Sequence, residues 1–352
     1  MDTKKNNNVK IFTFNKEIGL PQFKIDGRSG YVRYGNDDNY PNELVNYYNF
    51  NGSSAHKAIV NKKIKMVLGD GSYEFYNDKF NTNFKTFLKK IITDYQLFNG
   101  FAYEIIWSND GLDIVGIKHV PFQNIRIGIE TDDIPFPHYL YSVDFKSKKG
   151  DATPQIIRPY NPLVRSGNQL VYYAEHNPGS STYPIPEYSS ALTEIKLDHL
   201  IKSFHLNEAE NGYTPQFLLY LGTGEPEEDQ QDQFYKDFKR EYSGVDGKKV
   251  IIAYGEGQDQ KPEFIPINLN NSDERFITLA KQILDGVVIA HEIPPQLVVL
   301  YPGQLGSATE RQELTTEFYN NYIIDRQNTI EEHLNLVFSK LNYPTIELSK
   351  II

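Results

Sequence analysis

His291-Glu292 is the most suggestive pair in this chain, because a His-Glu step on a helix opens the metalloprotease signature, which needs a second His on the next turn. Pro294-Pro295 breaks the helix before that turn is complete, so the pattern does not hold zinc in that way. His199 and His205 lie six positions apart, near opposite sides of a helix, and do not form a chelating pair. Asp37-Asp38 and Asp132-Asp133 are adjacent carboxylates of the kind that bind Mg²⁺ or Ca²⁺. An EF-hand, however, requires alternate ligands and a closing Glu, a test that 69–78 also fails. Solvated turns are the plainer reading of these acids.

Other chemistries lack their residues. There is no Gly-x-x-x-x-Gly-Lys-Ser/Thr to cradle ATP and no Gly-x-Ser-x-Gly nucleophile elbow. Cys is absent, which removes disulfides, thiolate metal sites and Cys nucleophiles. A Gly-rich loop over 301–306 precedes a helix and invites an anion, but Glu310 occupies the first turn and would repel one. A helix over about 227–242 carries Glu227, Glu228, Asp229, Asp232 and Asp237 early, with Lys236, Lys239 and Arg240 later. That order suits the helix dipole of an ordinary solvated helix as well as it suits a docking surface. The chain reads as a non-enzyme with no cofactor and no metal.

Composition narrows the class further. With 39% hydrophobic and 23% charged residues, the 352 residues suffice for two or three units with real cores. Tyr (25) and Phe (21) dominate the aromatics, a bias that suits interfaces because Tyr buries apolar area and keeps a polar end. No apolar run approaches the roughly 20 residues of a membrane span, and the polar 1–10 segment has no signal-peptide core. A soluble, cytoplasmic product with no membrane partner is expected. Residues 1–150 carry 20 Lys+Arg against 17 Asp+Glu, a net of +3, whereas the remainder carries 16 against 29, a net of −13. The acidic half argues against tight nucleic-acid binding, which needs cations on phosphate.

The elements that would position these residues can be read in order. Irregular chain over 1–51 precedes a helix capped at Ser53/Ser54 and running to about 68, where Gly69-Asp70-Gly71 ends it. A helix over 84–98 places Phe84, Leu88, Ile91, Ile92 and Tyr95 on one face and closes at Asn99-Gly100. Strands follow over 101–107, 112–121 and 124–129, then shorter ones at 139–145 and 170–176 around a loop at 146–150. The first half is thus an α+β unit. A helix over 189–211 carries Leu192, Ile195, Leu197, Leu200, Ile201 and Phe204, which cover more than one face, so it is packed on two sides. Strands at 216–221, 250–254 and 263–267 surround the acidic helix. Asn271 with Glu274 caps a second long helix bearing Phe276, Ile283 and Val287, and Ser307 with Glu310 is a capping box for a last helix reaching about 341.

Residues 183–335 resemble the portal proteins of long-tailed bacteriophages. Pro186-Glu187-Tyr188-Ser189-Ser190-Ala191 is similar to the lead-in to the first long helix of that family, and Asn211-Gly212-Tyr213-Thr214-Pro215 to its exit. Phe238-Lys239-Arg240-Glu241-Tyr242-Ser243-Gly244 with Gly247-Lys248-Lys249-Val250 resembles the helix-to-strand passage of the insert. Asp273-Glu274-Arg275-Phe276 resembles the start of the second helix, and Ile289-Ala290-His291-Glu292-Ile293-Pro294-Pro295-Gln296-Leu297 the passage to the following loop. Upstream, Asn99-Gly100-Phe101-Ala102-Tyr103 fits the first half. Order and spacing, more than any one piece, carry the resemblance.

The resemblance implies a homo-oligomeric ring, usually of twelve, at one capsid vertex, through which double-stranded DNA is packaged and ejected. It implies a portal-like α+β fold. Residues 1–188 would be a wing, 189–211 and 271–298 the two stem helices, and 212–270 a small α/β clip. Residues 299–306 would be a tunnel loop, and 307–352 a C-terminal wing helix with a minimal crown. Leu300, Tyr301, Pro302, Gly303, Gln304, Leu305 and Gly306 would then face DNA. Glu227, Glu228, Asp229, Asp232, Lys236 and Arg240 would dock the terminase large subunit and later a head–tail adaptor. Leu197, Ile201, Phe204, Phe276, Ile283 and Val287 would pack the stem, and the wing would meet the major capsid protein. Two other readings remain at this point: another virion component such as an adaptor or baseplate protein, and a metal-dependent hydrolase using Asp37, Asp38, Asp132 and Asp133.

Overall fold

A computed structural model describes residues 25–26, 30–35, 37–145, 153–180, 182–211, 217–221, 233, 250–254, 263–266, 272–298 and 308–349. Its elements in chain order begin with β1 (Ile25–Asp26), β2 (Tyr31–Val32), α1 (Tyr40–Asn46), α2 (Ser54–Leu68), α3 (Glu74–Phe80) and α4 (Phe84–Phe98). Strands β3 (Gly100–Trp107), β4 (Ile114–His119), β5 (Ile125–Ile127), β6 (Tyr139–Tyr141), β7 (Gln155–Pro159) and β8 (Asn168–Ala174) follow. The remainder comprises α5 (Leu192–Asn211), β9 (Phe217–Leu221), β10 (Val250–Tyr254), β11 (Glu263–Pro266), α6 (Ser272–Ala290), α7 (Ala308–Phe318) and α8 (Ile324–Phe338). The class is α+β, in two compact units: Met1–Glu43 with Glu74–Ile185, and Leu44–Tyr73 with Pro186–Ile352.

In the first unit, the Asn83 side chain caps α4 by accepting from the Thr86 amide at 3.0 Å. Phe84, Leu88, Ile91, Ile92 and Tyr95 share the buried face that their spacing predicts. The helix ends at Asn99 in the left-handed conformation (φ 63°), which Asn tolerates better than most residues. Gly100 must follow, since a Cβ there would lie 2.7 Å from the Tyr173 carbonyl oxygen. From this glycine β3 enters a six-stranded sheet ordered β4-β3-β8-β7-β6-β5, covered on β3 by α4. Neighbouring strands are antiparallel except β7 and β8, which pair in parallel over Arg158–Pro159. Helix α1, helix α3 and strand β7 stand where no element was expected. α1 and α3 have seven residues each and β7 has five, too few to display a period.

Two carboxylates are buried inside this unit. Asp94 on α4 lies 2.8 Å from His119 Nε2 and accepts from the Phe122 amide at 2.9 Å. Burial raises its pKa above the usual carboxylate value, against the pull of those two partners. Asp38 accepts from Arg126 Nε at 2.5 Å and from the Tyr34 amide at 2.8 Å. Arg126 is 1% exposed and gives its remaining N–H groups to the carbonyls of Asp38, Gln123 and Ile125. Asp38 therefore belongs to a structural ion pair.

The second unit is a helical assembly with a small sheet. The Ser53 hydroxyl caps α2 by accepting from the Ala55 amide at 3.2 Å, and Gly69 (φ 57°) ends it. α2 packs on α6 and α8, and α5 packs on α6. Between α5 and α6 in the chain lies a three-stranded sheet, β10-β9-β11, with β9 parallel to β10 and antiparallel to β11. The acidic helix expected over 227–242 lies outside the described residues.

The last helix departs from expectation. It is not one α-helix from 307 to 341 but α7, a π-turn at Tyr319–Ile323, α8, and a 3₁₀ turn at Ser339–Leu341. Buried residues recur at 318 and 319, 322 and 323, 326 and 327, 330, 334, and 337 and 338, with steps of four across the π-turn. That repeat of four exceeds the 3.6 residues of an α-turn, so a straight helix would carry the row off the core, and the wider π-turn returns it. Beyond α8 the Asn335 side chain pairs with both the carbonyl and the amide of Ile346, at 2.9 and 2.8 Å.

Arg126→Ala strands the Asp38 carboxylate and is expected to cost about 3–5 kcal/mol in urea unfolding. The paired change Asp38→Asn with Arg126→Met is expected to cost less.

Candidate functional site: an open helix pair over a buried polar cluster

The residues singled out for metal do not meet. Asp38 is held by Arg126, and Asp132 and Asp133 are exposed turn residues. His199 Nε2 lies 3.3 Å from the Ser203 hydroxyl on its own helix. Among the described residues no group of three or more His, Cys, Asp or Glu could hold a metal ion. No helix among them is long and apolar enough to cross a membrane. Leu300, Tyr301, Pro302, Gly303, Gln304, Leu305 and Gly306 lie outside the described residues, as do Glu227, Glu228, Asp229, Asp232, Lys236 and Arg240.

What the second unit offers is a helix pair with one side closed and one side open. On the closed side, Ile195 of α5 and Ile283, Val287 and Val288 of α6 are buried. Gly286 lets the helices approach, since a Cβ there would stand 3.3 Å from Cγ of Glu194. Leu197 and Ile201 are half-buried, and the side chain of Phe276 lies outside the described set. On the open side, Leu200 (50% exposed) and Phe204 (45%), one turn apart on α5, present apolar surface, and Leu206 (57%) of α5 and Ile289 (73%) of α6 are exposed as well. α7 is open too. Phe318 is its one buried residue, and Thr309, Gln312, Glu313, Thr316, Glu317 and Asn320 form a polar stripe along it.

Beneath the pair lies a buried polar cluster. Lys63 on α2, 1% exposed, stands 3.7 Å from Glu187 and 3.9 Å from the centroid of the Tyr322 ring. Glu187 also accepts the Tyr322 hydroxyl at 2.6 Å and pairs with the Arg326 guanidinium. His56 on α2 and His291 beyond α6 approach each other at 2.9 Å between Nδ1 and Nε2. That is a hydrogen-bond distance; a shared tetrahedral zinc would hold the two nitrogens about 3.3 Å apart. These residues escape a reading of the sequence because partners such as His56 and His291 are 235 positions apart and leave no local pattern. The one available signal was Lys63 itself, a cation among the apolar positions of α2.

Burial pushes the Lys63 ammonium down to about 7; the Arg326 charge adds to the fall and Glu292 opposes it. For a base whose folded value lies below its ordinary 10.5, the contribution to stability is present above about 10.5 and lost as pH falls through about 7. Lys63→Met leaves Glu187 with Arg326 and Tyr322. It is expected to stabilise the protein by on the order of 1–4 kcal/mol near pH 6 and by less near pH 9, read from urea midpoints.

The sequence profile of the family described as phage portal protein matches residues 73–350. A protein of Escherichia phage P2 described as "Probable portal protein" is 20% identical over 243 residues, which cover 69% of this chain. The match spans 65% of that protein, a little under two thirds of its length. Among solved structures, a chain in the virion of a native gene transfer agent particle is similar at TM-score 0.57 and 12% identity, covering 88% of this chain and 83% of that one. A chain in the neck of an empty particle of that kind, computed with C6 symmetry, gives 0.54 at 11% identity, covering 87% and 83%. One in the neck of the native particle, computed with C12 symmetry, gives 0.53 at 14%, covering 87% and 82%. At such identities the likeness to these structures is one of fold.

Proposed function

Because the chain belongs to the phage portal protein family, we propose that it is the subunit of a ring at one vertex of a virion, built to pass double-stranded DNA and not to catalyse a reaction. Twelve copies is the number put forward, matching the symmetry with which the neck of a similar particle was computed. The observation that carries the reading is the exposed apolar pair Leu200 and Phe204, one turn apart on α5. A subunit in a closed ring meets a neighbour on each side, so a helix pair packed on one side by its own chain keeps a second side for another copy.

On this reading α5 and α6 are the stem. Residues 1–188 form the wing against the major capsid protein, and 212–270 form the clip. The clip presents Glu227, Glu228, Asp229, Asp232, Lys236 and Arg240, first to the terminase large subunit and then to a head–tail adaptor. Leu300 to Gly306 line the tunnel, and 307–352 run back to the wing with a minimal crown. Residues 151–352 carry a net charge of −13, which suits passage, since each strong contact with phosphate would add friction to a moving duplex. The ring would be made in the host cytoplasm and kept in the virion.

Purified protein is expected to give ring-shaped particles of about a dozen copies with a central hole, by light scattering and negative-stain images. Leu200→Glu with Phe204→Glu should reduce them to monomers that still unfold cooperatively in urea, because both side chains are about half exposed within the chain. Rings of undiminished size would refute the assignment of this face.

A further inference from the structure

The pairing of His56 with His291 brings together two imidazoles from distant parts of the chain, one on α2 and one just past the last turn of α6. His56 is fully buried and His291 is 2% exposed. At 2.9 Å between Nδ1 and Nε2, one nitrogen donates and the other accepts, so a single hydrogen is shared between two neutral rings. Tyr188 closes over both, its ring centroid 4.6 Å from that of His56 and 5.0 Å from that of His291. His56 Nε2 is buried and has no partner.

The turn 291–298 is tied to α2 at both ends. His56 holds its first residue, and the Lys62 ammonium donates to the Leu297 carbonyl near its last. Glu292, the second residue, sits at φ 52°, a left-handed conformation that a non-glycine residue keeps only where its surroundings impose it. The turn is therefore held in a shape the free chain would leave.

The elements packed around the pair carry charges, of which Lys63 acts on both imidazoles. α2 contributes Lys63 and, over the Tyr48 ring, Lys57. α5 contributes Lys202, which is bonded to Asp198 and to the Ser54 hydroxyl. Arg326 on α8 and Glu187 on the turn before α5 are engaged with each other. Glu292 is exposed, and neither imidazole is hydrogen-bonded to a carboxylate among the described residues. A proton placed on the pair thus has Lys63 as its neighbour and no anion in contact.

We propose that the His56–His291 pair is a proton-operated latch that fixes the turn 291–298 against α2, closed while two neutral rings share one hydrogen and released when the rings become charged. Two protonated rings present N–H to N–H and lose the bridge. Release runs outward through His291, because it stands at the C-terminal end of α6, where the helix dipole and free carbonyls favour a cation in water. Burial, with the Lys63 charge behind it, pushes His56 down to about 4 and His291 well below its usual value. Both folded values lie below the ordinary 6.5, so the latch's stabilisation is whole above about 6.5 and is lost as pH falls towards about 4. Only the latch's use rests on the portal reading, in which this turn joins a stem helix to the tunnel.

Hydrogen–deuterium exchange of the peptide covering 288–298 tests the latch in the assembled protein, with rates corrected for the intrinsic effect of pH. Wild-type protection is expected to fall about tenfold or more between pH 7 and pH 4 while peptides from α8 stay protected. His291→Gln, whose amide nitrogen reaches the place of Nε2 and does not titrate, should lose several-fold less protection than wild type across that range, the remainder being the titration of His56. His291→Ala should be unprotected throughout. The same acid loss in His291→Gln as in wild type would overturn the proposal, and so would wild-type protection in His291→Ala near neutral pH. Loss of α8 protection before the turn would also overturn it, because the turn would then open only with the unit. If His291→Ala fails to fold, the glutamine comparison still decides. Images of the same samples separate the two readings: an absence of rings counts against the portal assignment, and exchange alone bears on the latch.

Discussion

A buried ammonium needs a counter-charge, and much of the second unit is arranged around supplying one to Lys63. Desolvating a cation costs several kcal/mol unless an anion and hydrogen bonds replace the water. Glu187 provides the anion, and it also takes the Tyr322 hydroxyl and the Arg326 guanidinium. These four residues come from α2, the 3₁₀ turn before α5, the π-turn, and α8. For them to meet, the π-turn must aim Tyr322 inward and the turn at Glu187–Ala191 must precede the long helix.

The unit holds several charged and imidazole side chains within an otherwise apolar core. Lys63, Arg326, His56 and His291 lie among its buried apolar residues, while Leu200, Phe204, Leu206 and Ile289 are exposed on the long helices. Isolated exposed apolar residues need no explanation, whereas two a turn apart on a long helix are the kind of surface on which the proposed assembly rests. The interior ionic network supplies rigidity and directionality that a purely apolar helix packing would lack.

Local chemistry was legible wherever it was local. The apolar face of α4, the Asn99-Gly100 stop and the strand after it follow from residues a few positions apart, and the structure places them within a residue or so. The Ser53 cap and the Gly69 stop of α2 were legible for the same reason. α3 and β7 were not, because seven and five residues hold too little period to rise above the background. Carboxylates considered as metal ligands looked free because the sequence does not reveal that Arg126 lies against Asp38, 88 positions away.

The amino-acid sequence by itself determined the α+β class, the two long helices around a small sheet, the want of catalytic groupings, and the resemblance to a portal subunit. These depend on period, capping and order along the chain, which act over one or two turns. Only the tertiary structure decided that residues 44–73 belong with the second half, that Lys63 and Glu187 share a buried site, and that His56 meets His291. Such pairings are chosen by which surfaces can be buried together, and that sum over the whole fold is written at no single position in the chain.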